Sequence, residues 1–150
     1  VGLISKLSDS MISLTKPDAE NMFATAIITL WFSAIASTVM ENTILIASII
    51  PLVTDMVNSI LPSGTDFKSI VQHSTFMPVW WSLALGTCLG GNATPIGASA
   101  NVVTLGLAER AGFPISFKKY LIYGIPLTVE MIVLSTVYVW LRYYIMKFYL

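Results

Sequence analysis

Two uncharged runs, each too long to be one membrane helix, constrain this chain more than any other feature. Ser74 to Ala108 contains no Asp, Glu, Lys or Arg, and Asn21 to Thr54 contains only Glu41. Drawn as single helices at ~1.5 Å per residue, each would reach roughly 50 Å, against a hydrocarbon core of ~30 Å. Each run is therefore expected to break. In the second run the place is marked by Gly90-Gly91-Asn92-Ala93-Thr94-Pro95-Ile96-Gly97. Proline supplies no backbone donor and collides with the preceding turn, while glycine admits non-helical angles. Backbone groups freed in lipid persist only when buried in protein or lining a watery cavity, where they can bind ions or polar solutes.

Composition agrees with a membrane location: 55% of residues are apolar and 11% charged, with a mean hydropathy of +0.78. The eight basic and eight acidic residues cancel, so no basic face is available for nucleic acid. The expected partner is the lipid bilayer, crossed several times, in the cell membrane. Cys88 has no second cysteine to pair with and reads as a packing residue. His73 has no Cys, His or acid at ligand spacing, which argues against a metal centre. No phosphate loop, nucleophile elbow or metalloprotease helix is present, and no nucleophile stands paired with a base, so an enzyme is not expected. No cofactor is implied beyond a coupling ion, H⁺ or Na⁺. Val1 is not an initiator methionine and no signal pattern opens the chain, so it is expected to be part of something longer.

The expected architecture is all-α and membrane-integral: a re-entrant helical hairpin, a discontinuous transmembrane helix and a terminal transmembrane helix. Residues 1–15 read as an amphipathic interfacial helix, and Thr15-Lys16-Pro17-Asp18-Ala19-Glu20 as a capped helix start. Residues 17–60 are expected to hold the hairpin, although a single tilted span with a polar middle satisfies the same pattern. The hairpin is favoured because Glu41-Asn42-Thr43 falls where two short arms would meet, with Pro51 kinking the second arm. Leu61 to His73 reads as a loop, 74–111 as the broken helix ending at Gly112, and 115–145 as the last span. Gly124-Ile125-Pro126 is expected to kink that span, and Arg142, Tyr143 and Tyr144 to anchor its end at the interface.

Glu41 is the strongest single clue, because an ionisable group near a bilayer's centre costs several kcal/mol and is usually hydrated, paired or functional. It reads as a proton-carrying carboxyl or, more plainly, as a polar pin to a neighbouring helix. Ser37, Thr38, Asn42 and Thr43 surround it with hard oxygen ligands of the kind Na⁺ accepts alongside free carbonyls. Asn92 and Thr94 read as part of a second such site, and Na⁺ is expected at Asn42, Asn92 and Ser37. Gly97, Ala98, Ser99 and Ala100 are small enough for close helix packing. A helix beginning near Pro95 would aim its positive end at the break and favour an anion. Glu130, inside the last apolar run, faces a cavity or pairs with another helix.

The run from Leu85 to Val103, with Leu89-Gly90-Gly91-Asn92 followed by Ile96-Gly97-Ala98-Ser99-Ala100-Asn101, resembles the ion transporter superfamily. The branch it is most similar to is the arsenite permease and NhaD-type antiporter group, the P-protein-like members included. Trp31-Phe32-Ser33-Ala34 through Glu41-Asn42 to Ile50-Pro51-Leu52 resembles that branch's preceding hairpin, and the likeness extends from Gly2 to Tyr144. The resemblance implies two inverted repeats, each with a hairpin and a broken helix, moving as an elevator. This chain would be the C-terminal repeat, its partners the missing N-terminal repeat and a second copy of the full-length protein. In the related dicarboxylate branch the hairpin tip reads serine-asparagine-threonine and binds Na⁺ and substrate. Glu41, Asn42 and Thr43 correspond to it, and the glutamate departs from that pattern toward the acid common in the nearer branch. Ser37, and Gly91, Asn92 and Ala93 in the break, match positions lining the ion site. The implied activity is H⁺- or Na⁺-coupled movement of an inorganic or small organic anion, by symport or antiport, or Na⁺/H⁺ exchange. A non-transporting membrane subunit, or an intramembrane enzyme, is the alternative.

Overall fold

The computed structural model describes residues 22–58 and 75–146. The expected interfacial helix over 1–15, the helix start at Thr15 to Glu20 and the loop over 61–73 lie outside the described residues. Every element within them is helical: α1 (Met22–Ser37), α2 (Asn42–Asn58), α3 (Met77–Gly90), a 3₁₀ turn (Gly91–Ala93), α4 (Ser99–Arg110) and α5 (Phe117–Trp140), which runs into a π turn (Leu141–Ile145). Both long runs break, as expected. With 16 residues in α1 and 14 in α3, these arms are only about 24 and 21 Å long, short of a ~30 Å core. The stretch Phe117–Ile145, 29 residues at mean hydropathy 1.6, is long and apolar enough to cross a membrane.

What each helix buries shows what solvent it is built for. On α1 the buried face is Thr25, Ala26, Thr29, Leu30, Ser33, Ala34 and Ser37, one hydroxyl per turn, while Phe23 and Ile35 face outward. On α5 the buried stripe is Thr128, Ile132, Ser135 and Val139, and Leu127, Val133, Leu134 and Val137 are exposed. A soluble helix does the reverse; small and hydroxylated residues inside with aliphatics outside suit lipid, where close backbone approach drives helix pairing.

The closest approach is between α1 and α3, which lie side by side and run the same way. Gly86 sits against Leu30 and Ser33, and Gly90 against Ala34. A Cβ on either glycine would overlap backbone atoms of α1. The helix-on-helix small-residue contact therefore falls on Gly86 and Gly90, seven residues or more before the expected row of Gly97 to Ala100; of that row Gly97 is buried at the break, and α4 buries no residue among those described. α5 runs antiparallel to the pair. Trp31 donates to Thr136 (3.3 Å), Ile132 joins Leu30 and Ala34, and Gly124 lies against Ala93 and Asn92. Leu45, Ile49 and Val53, spaced to line one face of α2, enter the core that holds Met22, Ala26, Phe76, Val79, Val139 and Tyr143.

Element ends follow local chemistry. Gly112, at φ 87°, ends α4 in the left-handed region, with Gly112 N–H bonded to the Glu109 carbonyl and Phe113 N–H to the Ala108 carbonyl. That paired 5→2 and 6→1 arrangement closes a helix at glycine. Ser116 opens α5 by accepting from the Lys119 amide at 3.3 Å. Pro51 and Pro126 both lie inside their helices, which continue past them.

Candidate functional site

The first break lies earlier than the sequence suggested. Asn42, expected at the apex of the tip, is already the first residue of α2, and the non-helical segment is Thr38 to Glu41. The cause is Glu41 itself. Its carboxylate turns back onto its own chain, accepting from the amides of Thr43 (2.8 Å) and Ile44 (3.3 Å), and so supplies acceptors for N–H groups a helix start leaves open. A negative charge there also opposes the helix dipole. Thr43 is exposed, its hydroxyl 3.5 Å from the same carboxylate.

The second break is held by side chains and glycine. After the 3₁₀ turn the chain is extended at Thr94 and again at Ala98, so the following helix starts at Ser99 and not near Pro95. Thr94 binds across the two breaks: its hydroxyl donates to the Thr38 carbonyl and accepts from the Gly97 amide at 3.0 Å. Asn101 donates to the carbonyls of Gly91 (2.9 Å) and Thr94 (3.1 Å), clamping the far side. Sequence reading passed over Asn101, although it closes the glycine-rich motif at the point where the helix resumes.

The two breaks meet. Ser37, fully buried at the end of α1, has its Oγ 2.6 Å from Asn42 Oδ1 and 2.7 Å from the Thr87 carbonyl oxygen. Thr87 is a second residue the sequence did not single out; its own hydroxyl is buried without a partner among the described residues. A Cβ on Gly91 would stand 2.6 Å from Asn42 Oδ1 and 3.0 Å from the Gly97 carbonyl oxygen. One on Gly97 would stand 2.6 Å from the Gly91 carbonyl oxygen and 2.8 Å from that of Ser37. Asn42 Oδ1 and the carbonyls of Ser37, Gly91 and Gly97 thus crowd into a few ångströms around positions only glycine leaves open.

One hydroxyl proton cannot serve both oxygens beside Ser37 Oγ. Two arrangements resolve this: Asn42 turns its amide so that Nδ2 donates to Ser37, or a cation shares the oxygens. The donor set is neutral and hard, which suits an alkali cation, and no group of His, Cys, Asp or Glu among the described residues could hold a transition metal.

Of the remaining expected residues, Ala93 is buried and Thr94 partly so; both line a cavity of about 250 Å³ between α1 and α5, with Trp31, Thr38 and Thr128. The hydroxyl of Thr128 is buried there without a partner among the described residues. Asn92 is exposed and lines a separate groove of about 400 Å³ with Lys119, Tyr120 and Tyr123. Glu130 is exposed on α5, and Cys88 is exposed on α3 rather than packed inside.

Comparison with known proteins gives this arrangement a family. The family model for the arsenical pump membrane protein matches residues 1–141. The chain belongs to that family. The arsenical pump family is one of membrane transporters and not of enzymes, which makes this an integral membrane protein. An uncharacterized transporter of Mycobacterium tuberculosis is 41% identical over 145 residues, covering 97% of this chain and 31% of that protein. A 46 kDa membrane protein of Mycobacterium leprae is 42% identical over 123 residues, 82% of this chain and 26% of that protein. The human P protein is 35% identical over 113 residues, 75% of this chain and 12% of that protein. This chain therefore spans less than a third of the length of these relatives. No solved structure matches it.

Proposed function

We propose that this segment is the C-terminal repeat of a secondary transporter, with α1 and α2 as a re-entrant hairpin and α3 and α4 as the broken helix. Na⁺ binds where the two breaks meet, at Ser37 Oγ, Asn42 Oδ1 and the carbonyls of Ser37, Gly91 and Gly97. The observation carrying this reading is the convergence of those oxygens on one place, with a serine hydroxyl facing two acceptors at 2.6 and 2.7 Å. The missing N-terminal repeat completes the path, the full-length protein forms a homodimer, and the substrate is an inorganic or small organic anion or, in exchange, H⁺.

Glu41 supplies the proton site. Ionised, its carboxylate holds the first amides of α2 and with them the position of Asn42. Protonated, it is a weaker acceptor and no longer opposes the dipole, so the first turn of α2 loosens and Asn42 leaves the oxygen cluster. Proton and Na⁺ then exclude one another, which is the logic of exchange. Removing the carboxylate should therefore remove the competition between H⁺ and Na⁺.

The test is transport by the full-length protein in proteoliposomes under imposed Na⁺ or H⁺ gradients, with candidate anions in turn. Ser37→Ala and Asn42→Ala should each weaken Na⁺ dependence about tenfold or more while leaving the fold intact. Unchanged Na⁺ dependence in both would remove this cluster from the mechanism.

A further inference from the structure

At the opposite end of α5 from Lys118 and Lys119 stands a second polar feature, independent of the two breaks. Arg142 lies in the π turn with its guanidinium among three aromatic rings: Tyr143 at 5.5 Å and Trp81 and Tyr138 each at 5.8 Å from the guanidinium carbon. Its Nη1 donates to the Tyr138 hydroxyl at 2.6 Å. Its Nε is buried without an acceptor among the described residues. The rings fix the plane of the cation, and a phenol hydroxyl does not neutralise it. Among the described residues no carboxylate bonds to it.

Depth decides what can answer that charge. At ~1.5 Å per residue, Arg142 stands about 16 Å from the middle of Phe117–Ile145, just beyond the ~15 Å half-thickness of a hydrocarbon core. Trp81, Tyr138 and Trp140 are exposed around it, an aromatic belt at headgroup level. The abundant anion at that depth is a phosphodiester, and a planar guanidinium matches it through paired N–H donors.

We propose that Arg142, oriented by Trp81, Tyr138 and Tyr143, binds the phosphate of a membrane phospholipid. The experiment uses the full-length protein in detergent, titrated with phosphatidylglycerol, with retained lipid counted by native mass spectrometry. A galactolipid lacking phosphate is the lipid control, inorganic phosphate is the soluble competitor, and thermal unfolding checks each variant's fold. The expected result is preferential retention of phosphatidylglycerol that millimolar phosphate does not displace. Arg142→Gln should weaken it about tenfold and Arg142→Lys two- to threefold, since lysine keeps the charge and loses the fork. Should Arg142→Gln unfold, Tyr138→Phe keeps the ring, removes the hydroxyl that orients Nη1, and should weaken retention about twofold. Wild-type affinity in Arg142→Gln, or in both Arg142→Lys and Tyr138→Phe, overturns the proposal. So does displacement by inorganic phosphate, which would make this a soluble-anion site.

Discussion

The two interruptions solve one problem with opposite materials. Between Ser37 and Asn42 the chain has no glycine or proline and turns on side chains: Glu41 caps α2, and Ser37 reaches Asn42 and Thr87. Between Gly90 and Ala98 there is no charge, and the backbone itself makes the turn, with glycines where a Cβ would collide, Asn101 donating to the freed carbonyls of Gly91 and Thr94, and the Thr94 hydroxyl accepting from the Gly97 amide. A side-chain turn answers to protonation; a glycine turn answers only to steric filling. In the proposed exchange, this difference assigns the first break the part of a sensor and the second that of a rigid wall.

Filling the wall should produce the largest effect. In Gly97→Ala the added methyl meets backbone oxygens of Gly91 and Ser37 at 2.6 and 2.8 Å, neither of which can swing away. The expected loss is roughly 1–3 kcal/mol of stability, with Na⁺ dependence lost. Gly91→Ala meets Asn42 Oδ1 at 2.6 Å, the end of a side chain, and should cost less stability while still disturbing the ion. Thermal unfolding in detergent beside Na⁺-dependent transport separates the two; equal effects would show that the wall is not rigid.

Removing the clamp comes next. Asn101→Ala leaves the carbonyls of Gly91 and Thr94 without their side-chain donor, at about 1–2 kcal/mol. Its signature is a weaker Na⁺ response with an unchanged pH profile, because the proposed proton site, Glu41, lies in the other break. A shifted profile would mean that the breaks titrate as one unit.

The sensor itself should give a smaller change in stability and a larger one in pH response. Glu41→Gln keeps an acceptor at the start of α2 but not the charge, a loss near ~1 kcal/mol. Na⁺ affinity should fall roughly threefold to tenfold at high pH and become flat with pH. A profile that still rises with pH places the titrating group elsewhere.

How much of this was legible beforehand depends on which property carries each feature. Run length against bilayer thickness exposed both breaks, and Gly112 and Ser116 marked helix ends through local backbone chemistry. The start of α2 was misjudged by a residue because a glutamate in a polar cluster reads as function before it reads as a cap, and only coordinates show its oxygens on Thr43 and Ile44. The pairing of α1 with α3 was invisible for another reason. Gly86 and Gly90 are four apart, a small-residue spacing, but which helix they touch is a tertiary fact. The more conspicuous Gly97 to Ala100 drew attention instead.

Asn92 and Asn101 provide the finest test of the comparison. Both are asparagines of the glycine-rich motif, and likeness to the family favours Asn92 as an ion-site residue. Yet Asn92 is exposed, on a groove with Lys119 and Tyr120, while Asn101 bonds to the carbonyl of Gly91 inside the cluster. If the second break acts through backbone carbonyls, Asn92 contributes by where its main chain sits, against Gly124. Asn92→Ala should then change Na⁺ affinity less than about twofold, under ~0.4 kcal/mol, while leaving stability unaltered. A tenfold loss from Asn92→Ala with no loss from Asn101→Ala would reverse the assignment and make the second break, like the first, a side-chain site.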